Sequence, residues 1–178
     1  MVVHASVCLI PFLVEATSKS TVLVALAATS VVYVLSETLR LKGRQVPVIT
    51  RFTLAMSREN ESLHFVAAPV YLALGTILSL LAFPRNIAYA SITTVAVADP
   101  VASYVGIRFG RIHVKQKTLE GFAAGLIVSF AAALLWVPPY LALTGSVVGM
   151  LLEVLGVLDD NLTIPIGAGS AMLIASIL

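Results

Sequence analysis

Charged residues are scarce in this chain: they account for 11% of its 178 residues, whereas hydrophobic residues account for 59%. A water-soluble domain carries roughly 25% charged residues, so the composition argues against such a domain. A single cysteine, Cys8, excludes an intramolecular disulfide. The small net charge of +2 gives no sign of nucleic-acid binding. We find no basic segment followed by a small-residue cleavage site, and so expect no cleaved signal peptide.

Apolar segments occupy most of the chain and predict a polytopic membrane protein. A helix needs about 20 mostly apolar residues to cross a bilayer. Segments close to this length follow one another at residues 3–17, 20–37, 63–83, 86–107, 119–137, 139–157 and 162–178. We therefore predict an all-α bundle of about six or seven transmembrane helices, in which residues 1–178 form a single integral-membrane domain.

Basic residues are concentrated in two of the connections between these segments. They are Arg40, Lys42, Arg44, Arg51 and Arg58 in one connection, and Arg108, Arg111, Lys115 and Lys117 in the other. The positive-inside rule puts both connections on the cytoplasmic side. Alternation of the spans brings Asp159 and Asp160 to the same side, so we predict a site that faces the cytoplasm. Residues 38–62 form the longest polar segment and are predicted to include a helix on the membrane surface.

Asp99 lies inside the fourth apolar segment, where a carboxylate is costly and commonly functional. Two interpretations are open. The carboxylate pairs with an arginine between helices, or it binds Mg²⁺, which is usually held by one or two carboxylates and by substrate phosphates. In the second case Asp160 or Asp159 would supply another carboxylate. Pro100 predicts a kink that frees backbone carbonyls beside the acid.

Small residues follow Asp99 at helical spacing, so that Ala102, Gly106 and Gly110 share one helical face. Such a face lets two helices pack closely. It also lets a nucleotide approach the backbone, and the sequence leaves both interpretations open. Gly121 repeats the small-residue spacing in the next segment, where helix packing is the favoured interpretation.

A basic turn that includes Arg111 leads to Lys117, Thr118 and Glu120 at the start of the fifth segment. Thr118 is predicted to cap this helix. A cation such as Lys117 is disfavoured by the dipole at a helix N-terminus. The position of Lys117 therefore indicates a bound anion, and we predict that Lys117 binds a phosphate group as a compact point charge.

The order Asp99-x₂-Ala102-x₃-Gly106-x₃-Gly110-x₆-Lys117-Thr118-x-Glu120-Gly121 resembles the CTP-binding signature of the polyprenol kinase family. This family includes dolichol kinase, phytol kinase and the CTP-dependent diacylglycerol kinase. Three further elements are similar and occur in the same order, so the resemblance extends from about residue 37 to residue 166. They are Glu37 with Arg40, Arg58 with Glu59, and Asp160-Asn161 followed by Pro165.

Two positions depart from the family pattern. Ala98 stands where members usually have glycine, a small change that we expect to be tolerated. His4 lacks the basic pair that often precedes a histidine in the first span. A lone histidine near a terminus is more often without a function, so the role of His4 is left open.

The resemblance implies a kinase that transfers the γ-phosphate of CTP to the hydroxyl of an isoprenoid alcohol, such as dolichol or another polyprenol, with Mg²⁺. Glu59 and Glu120 are the candidates for taking the hydroxyl proton. The residues implied are Asp99, Lys117, Glu59 and Glu120 for catalysis, Asp99 and Asp160 for the metal, and Ala102, Gly106, Gly110, Arg111, Lys117, Thr118, Gly121, Arg58 and Asn161 for CTP.

Other functions stay open on the sequence alone. Diacylglycerol is an alternative acceptor, and a cytidylyltransferase that makes a CDP-lipid would use the same nucleotide and metal. A small transporter is the non-enzyme alternative, although we find no inverted repeat. The expected partners are CTP, a lipid alcohol and membrane lipids, and the small-residue faces are compatible with a homodimer. The chain lacks the extra N-terminal spans of the large eukaryotic members of the family, so the resemblance implies a minimal version in the cell membrane of a prokaryote or archaeon.

Overall fold

The computed structural model describes residues 2–44, 64–156 and 158–178, and these residues are mainly helical, which confirms the predicted all-α class. The helices are α1 (Val2–Val7), α2 (Ile10–Ala16), α3 (Lys19–Leu41), α4 (Ala68–Ala82), α5 (Arg85–Phe109), α6 (Leu119–Ala133), α7 (Pro139–Leu155) and α8 (Asp160–Ala175). A short antiparallel hairpin of β1 (His113–Val114) and β2 (Lys117–Thr118) joins α5 to α6. The helices follow the predicted apolar segments in order.

The first predicted segment is broken into two helices, which the sequence did not lead us to expect. α1 ends at Val7, and α2 begins at Ile10 with Pro11 in its first turn. Backbone amides in the first turn have no partner within the helix, so the missing N–H group of a proline costs no hydrogen bond there. By contrast, α5 is not interrupted at Pro100 and continues to Phe109. The predicted surface helix falls largely on residues 45–63, which lie outside the described residues.

Among the described helices, α3 and α5 are long and apolar enough to cross a membrane, with 23 and 25 residues. α4, α6 and α7 are apolar but shorter, with 15, 15 and 17 residues. A helix rises about 1.5 Å per residue, so these three are shorter than the hydrocarbon core of about 30 Å. The number of six or seven spans therefore stays a prediction.

α5 is the central helix of the bundle. It packs against α1, α4, α6, α7 and α8, and all of its residues from Ile87 to Ala96 are buried. Several of these are small, including Ala88, Ala90 and Ser91, and small side chains let neighbouring backbones approach closely. The central position of α5 puts Asp99 within reach of the helices that surround it.

The two ends of the bundle carry different side chains. At the end where α2 stops and α5 begins, Arg85 forms an ion pair with Glu15, and the Tyr89 hydroxyl donates to the same carboxylate at 2.9 Å. The rings of Phe12 and Tyr89 pack against Trp136 with centroid distances of 5.3 and 5.1 Å. The hairpin and the turn between α7 and α8 lie at the other end, together with the acidic residues of the candidate site.

Candidate functional site

Three acidic side chains from three helices meet at the second end of the bundle. Asp99 lies in α5, Glu153 in the last turn of α7 and Asp160 at the start of α8, and one carboxylate oxygen from each lies within 4.8 Å of the others. The α7–α8 turn brings two of them together, because Gly156 ends α7 with a left-handed φ of 59° and the Asp159 side chain caps α8. We refer to Asp99, Glu153 and Asp160 as the carboxylate cluster.

Lys117 reaches into the carboxylate cluster from the hairpin. Its Nζ lies 2.8 Å from Glu153 Oε1, 2.9 Å from Asp160 Oδ2 and 3.9 Å from Asp99 Oδ1. The sequence indicated an anion beside Lys117, and these carboxylates supply that negative charge from within the chain. The conflict with the helix dipole therefore does not by itself require a bound phosphate, and the binding of a phosphate by Lys117 stays a prediction.

The hairpin determines where Lys117 projects. Val114 pairs with Lys117 across the two strands, and Lys115 adopts a left-handed φ of 56° in the turn between them. Immediately afterwards, the Thr118 hydroxyl accepts a hydrogen bond from the Gly121 amide at 3.2 Å and caps α6, as predicted. The turn and the cap together fix the position of Lys117 at the N-terminal end of α6.

Negative charge exceeds positive charge in the cluster, since three carboxylates share one ammonium group. Burial opposes the charge of Lys117, but its contacts with Glu153 and Asp160 outweigh this effect and raise its pKa. Burial raises the pKa of Asp160, the hydrogen bond from Lys117 offsets only part of that effect, and the nearby charges of Asp99 and Asp159 add to it. Lys117 alone therefore does not fully compensate the acidic groups of the cluster.

Two buried carboxylate oxygens of the cluster, Glu153 Oε2 and Asp160 Oδ1, have no hydrogen-bond partner among the described residues. Glu153 is only 2% exposed, and a buried charge without a partner is costly. Mg²⁺ prefers oxygen ligands and is commonly held by carboxylates. The cluster therefore fits a divalent cation, and Glu153 joins Asp99 and Asp160 as a candidate ligand.

His4 of α1 contacts both the cluster and α8. Its Nε2 lies 2.7 Å from Asn161 Oδ1 and 3.2 Å from Asp99 Oδ2. Asn161 donates its Nδ2 to Asp159 Oδ1 at 2.8 Å, which leaves its Oδ1 as the acceptor that faces His4. Both neighbours of Nε2 are then acceptors, so we assign the imidazole proton to Nε2. His4, whose role the sequence left open, thus belongs to the site.

A cleft of about 450 Å³ borders the carboxylate cluster, and this volume is typical of ligand sites in proteins. Lys117, Glu153 and Asp160 line the cleft beside the small-residue face of α5. The residues predicted to bind CTP that also line it are Ala102, Gly106, Gly110, Lys117, Thr118 and Gly121.

The same small residues determine how closely α6 approaches α5. A Cβ atom at Gly121 would lie 2.5 Å from the Ala102 carbonyl oxygen and 3.3 Å from Gly106 Cα. A Cβ atom at Gly106 would lie 2.7 Å from Thr118 Oγ1. Helix packing therefore accounts for both glycines, and a nucleotide-binding role would be additional to it.

Besides Asp99 and Asn161, whose side chains contact His4, two predicted site residues do not line the cleft in the described structure. The Glu120 carboxylate accepts a hydrogen bond from the Ile112 amide at 3.3 Å, and Arg111 is exposed. Among the described residues, the lining of the cleft includes neither of them. The geometry therefore does not support Glu120 as the group that takes the hydroxyl proton. Arg58 and Glu59 lie outside the described residues.

The Glu37–Arg40 pair links α3 to the segment before α4. Arg40 donates from Nε and Nη2 to the Glu37 carboxylate at 2.8 and 2.7 Å. Glu37 also accepts from the Val66 amide at 2.9 Å, and Arg40 donates to the His64 carbonyl at 2.7 Å. These contacts give the pair a structural role in the described part of the chain.

Sequence reasoning missed Glu153, although a signal was present. Glu153 is an acid within the apolar segment 139–157, just as Asp99 is an acid within the segment 86–107, and an acid in such a position is commonly functional. The acidic turn at Asp159 and Asp160 also indicated that the end of this segment lies at the same membrane face as Asp99. Glu153 could therefore have been added from the sequence to Asp99 and to Asp160, which lies between two predicted spans.

No protein-family model matches the chain, and no match is found among the curated proteins or the solved structures. The resemblance to polyprenol kinases therefore depends on the residues quoted above and on their order.

Proposed function

We propose that this protein is an integral-membrane, CTP-dependent lipid kinase that phosphorylates the hydroxyl of an isoprenoid alcohol, such as dolichol or another polyprenol. The observation that carries the proposal is the position of Lys117 among Asp99, Glu153 and Asp160 beside a cleft. Enzymes that transfer phosphoryl groups act mainly by positioning the reactants and neutralising phosphate charge. A carboxylate cluster that fits a divalent cation, next to an ammonium group, could both position a phosphate and neutralise its charge. The choice of CTP follows from the resemblance.

The distribution of side chains supports a membrane location. On α3, the apolar residues Val24, Val31 and Leu35 are exposed, whereas the acidic Glu37 is buried. A bilayer favours this arrangement, because lipid solvates the apolar surface while polar groups find partners inside the bundle. We infer that α3, α5 and the shorter apolar helices cross the membrane in a bundle of six or seven spans.

The basic residues around the hairpin support a cytoplasmic location for the cluster. The Lys115 Nζ donates to the Leu155 carbonyl at 3.2 Å, which puts the hairpin next to the end of α7 that carries Glu153. The positive-inside rule assigns such a basic connection to the cytoplasm. At the opposite end, Trp136 and the exposed Tyr140 would lie at the other membrane interface, where aromatic residues are enriched.

Asp99, Glu153 and Asp160 would hold Mg²⁺ in this proposal. Bound there, the ion would supply positive charge for the oxygens of the transferring phosphate. Lys117 would contact the same phosphate as a compact cation. The phosphates would lie in the cleft beside Gly106, Gly110 and Thr118, all of which line it.

The lipid alcohol would enter from the bilayer and bring its hydroxyl group to the level of the cluster. Ile107 and Phe122 line the cleft and offer an apolar surface to the first isoprene units. Glu59 stays the predicted acceptor of the hydroxyl proton, since Glu120 lies apart from the cleft.

The test is an assay of the purified protein with γ-labelled CTP, Mg²⁺ and a panel of polyprenols, dolichol and diacylglycerol. Transfer of the label to an isoprenoid alcohol with release of CDP supports the proposal. Release of pyrophosphate with a lipid phosphate as acceptor would instead identify a cytidylyltransferase. No Mg²⁺-dependent turnover with any of these acceptors would reject the enzyme and favour the transporter alternative.

A further inference from the structure

Lys117 occupies the position in the carboxylate cluster that a bound cation would take. Its Nζ is within hydrogen-bond distance of Glu153 and Asp160, at 2.8 and 2.9 Å, and lies 3.9 Å from Asp99. A divalent cation held by the same three side chains would stand close to this ammonium group. Two positive charges at such a distance repel strongly in a partly buried site. The geometry therefore allows either Lys117 or a divalent cation to neutralise the cluster, but not both.

We propose that Lys117 exchanges with the metal ion. Lys117 neutralises the cluster while no divalent cation is bound, and it leaves the carboxylates and turns into the cleft when a cation binds. The inference rests on the proposed function for the phosphate that Lys117 would then meet. The exchange itself requires only the cluster and a divalent cation.

The incomplete pairing of the cluster supports exchange over a permanent ion pair. Lys117 bonds to one oxygen of Glu153 and one of Asp160, and the second oxygen of each is buried without a hydrogen-bond partner among the described residues. The side chain of Glu153 is 2% exposed, so water compensates little for this. One ammonium group thus leaves buried negative charge that a divalent ion would neutralise more fully.

The position of Lys117 also allows its release. Its side chain is 29% exposed, and it lines the cleft along with Gly106 and Gly110. A lysine has a long flexible stem that can carry its ammonium group from the cluster to the cleft by rotamer changes alone. Neither the hairpin nor the cap at Thr118 needs to open for this movement.

Exchange would impose an order on the assembly of the site. Without a divalent cation, the carboxylates retain Lys117, and a phosphate entering the cleft meets uncompensated negative charge. With the cation in place, the cluster is neutralised and Lys117 is available to the phosphate. Lys117 would thereby make nucleotide binding depend on the metal.

The first test measures Mn²⁺ binding to the purified protein by electron paramagnetic resonance, without nucleotide or lipid. Lys117→Met removes the competing charge and keeps the apolar stem, and Lys115→Met removes the same charge from the adjacent turn. We expect Lys117→Met to bind Mn²⁺ at least about tenfold more tightly than the wild type, and Lys115→Met to change the affinity less than about twofold. Equal affinities in the two variants, or no Mn²⁺ binding to any of the proteins, would overturn the exchange.

The second test uses the wild-type protein and decides the question if Lys117→Met does not fold. Acylation of lysines is followed peptide by peptide by mass spectrometry, with and without Mn²⁺. Exchange predicts that Mn²⁺ increases the labelling of Lys117 several-fold and leaves that of Lys115 unchanged, whereas unchanged or decreased labelling of Lys117 contradicts it. Neither test uses CTP, so an inactive kinase assay leaves the exchange standing, and an active kinase without these effects rejects the exchange alone.

Discussion

His4 and Asn161 are 157 positions apart in the chain, yet His4 Nε2 and Asn161 Oδ1 lie 2.7 Å apart. The same ring nitrogen lies 3.2 Å from Asp99 Oδ2. One histidine therefore joins the first helix to the last and to the central helix. Because Asn161 is buried, its side-chain carbonyl depends on this ring for a hydrogen bond.

Replacing His4 should destabilise the fold. In His4→Ala, the buried Asn161 oxygen loses its donor, which costs about 1–3 kcal/mol when a buried polar group is left unsatisfied. We expect a lower midpoint of thermal unfolding in detergent, followed by the fluorescence of Trp136, the single tryptophan. His64→Ala is the control, since the structure places His64 at the surface and uses its backbone carbonyl in the contact with Arg40. Equal shifts in the two variants would contradict a specific role for His4.

Much of the fold could be predicted because the described helices occur in the order and at the positions of the apolar segments. The break between α1 and α2 could not, since residues 7–14 are apolar on both sides of the break and only Pro11 marks the start of the second helix. The hairpin was also missed. Its turn has Lys115 at a left-handed φ, a conformation that glycine and asparagine usually occupy. Because a lysine stands there, the sequence contains no motif typical of a hairpin turn.

The candidate site was predictable only in part. Asp99 and Asp160 stood out as acids in or beside apolar segments, and Lys117 stood out against the helix dipole. The helix dipole indicated an anion near Lys117, but the sequence could not identify the anion as Glu153 and Asp160, because that contact depends on how α7 packs beside α6. His4 could not be assigned for the same reason, since only the packing of α1 on α5 brings it to Asp99.

Removal of the Glu153 charge should weaken the binding of divalent cations. Glu153→Gln keeps the shape of the side chain and removes one of three carboxylate ligands, so we expect the Mn²⁺ affinity to fall by at least about tenfold. Glu120→Gln makes the same chemical change outside the cluster and should leave the affinity nearly unchanged. Titration calorimetry of both variants provides the measurement. If the affinity of Glu153→Gln matches that of the wild type, Glu153 is not a ligand.

Asp99 should be essential for phosphoryl transfer. Asp99→Asn keeps the size of the side chain and removes its charge, and we expect the turnover of CTP to fall by about 10³-fold or more. The variant should still insert into the membrane and purify, because a neutral amide is less costly in a bilayer than a carboxylate. Asp159→Asn is the control, because it makes the same chemical change at the cap of α8, and asparagine also caps helices well. If Asp99→Asn retains most of its activity, Asp99 has only a packing role.

Gly121 should be less tolerant of substitution than Gly125. A Cβ at Gly121 would lie 2.5 Å from a backbone oxygen, that of Ala102, whereas a Cβ at Gly125 would meet the flexible end of Met150 at 2.6 Å. We expect Gly121→Ala to destabilise the protein by about 1–3 kcal/mol through overpacking, and Gly125→Ala to have a smaller effect. The midpoint of thermal unfolding provides the comparison. A larger loss in Gly125→Ala would show that the approach of α6 to α5 is not limited at Gly121.

The hairpin and the α7–α8 turn should lie on the same side of the membrane, because Lys117 of the hairpin bonds to Asp160 at 2.9 Å. Single cysteines at Lys115, Leu158 and Tyr140, each introduced in a Cys8→Ala background, would report this in sealed vesicles. All three positions are exposed, so a membrane-impermeant maleimide should react wherever it has access. We expect Lys115→Cys and Leu158→Cys to be labelled from the cytoplasmic side and Tyr140→Cys from the other side. Labelling of the first two from opposite sides would separate Lys117 from the carboxylate cluster and remove the proposed site.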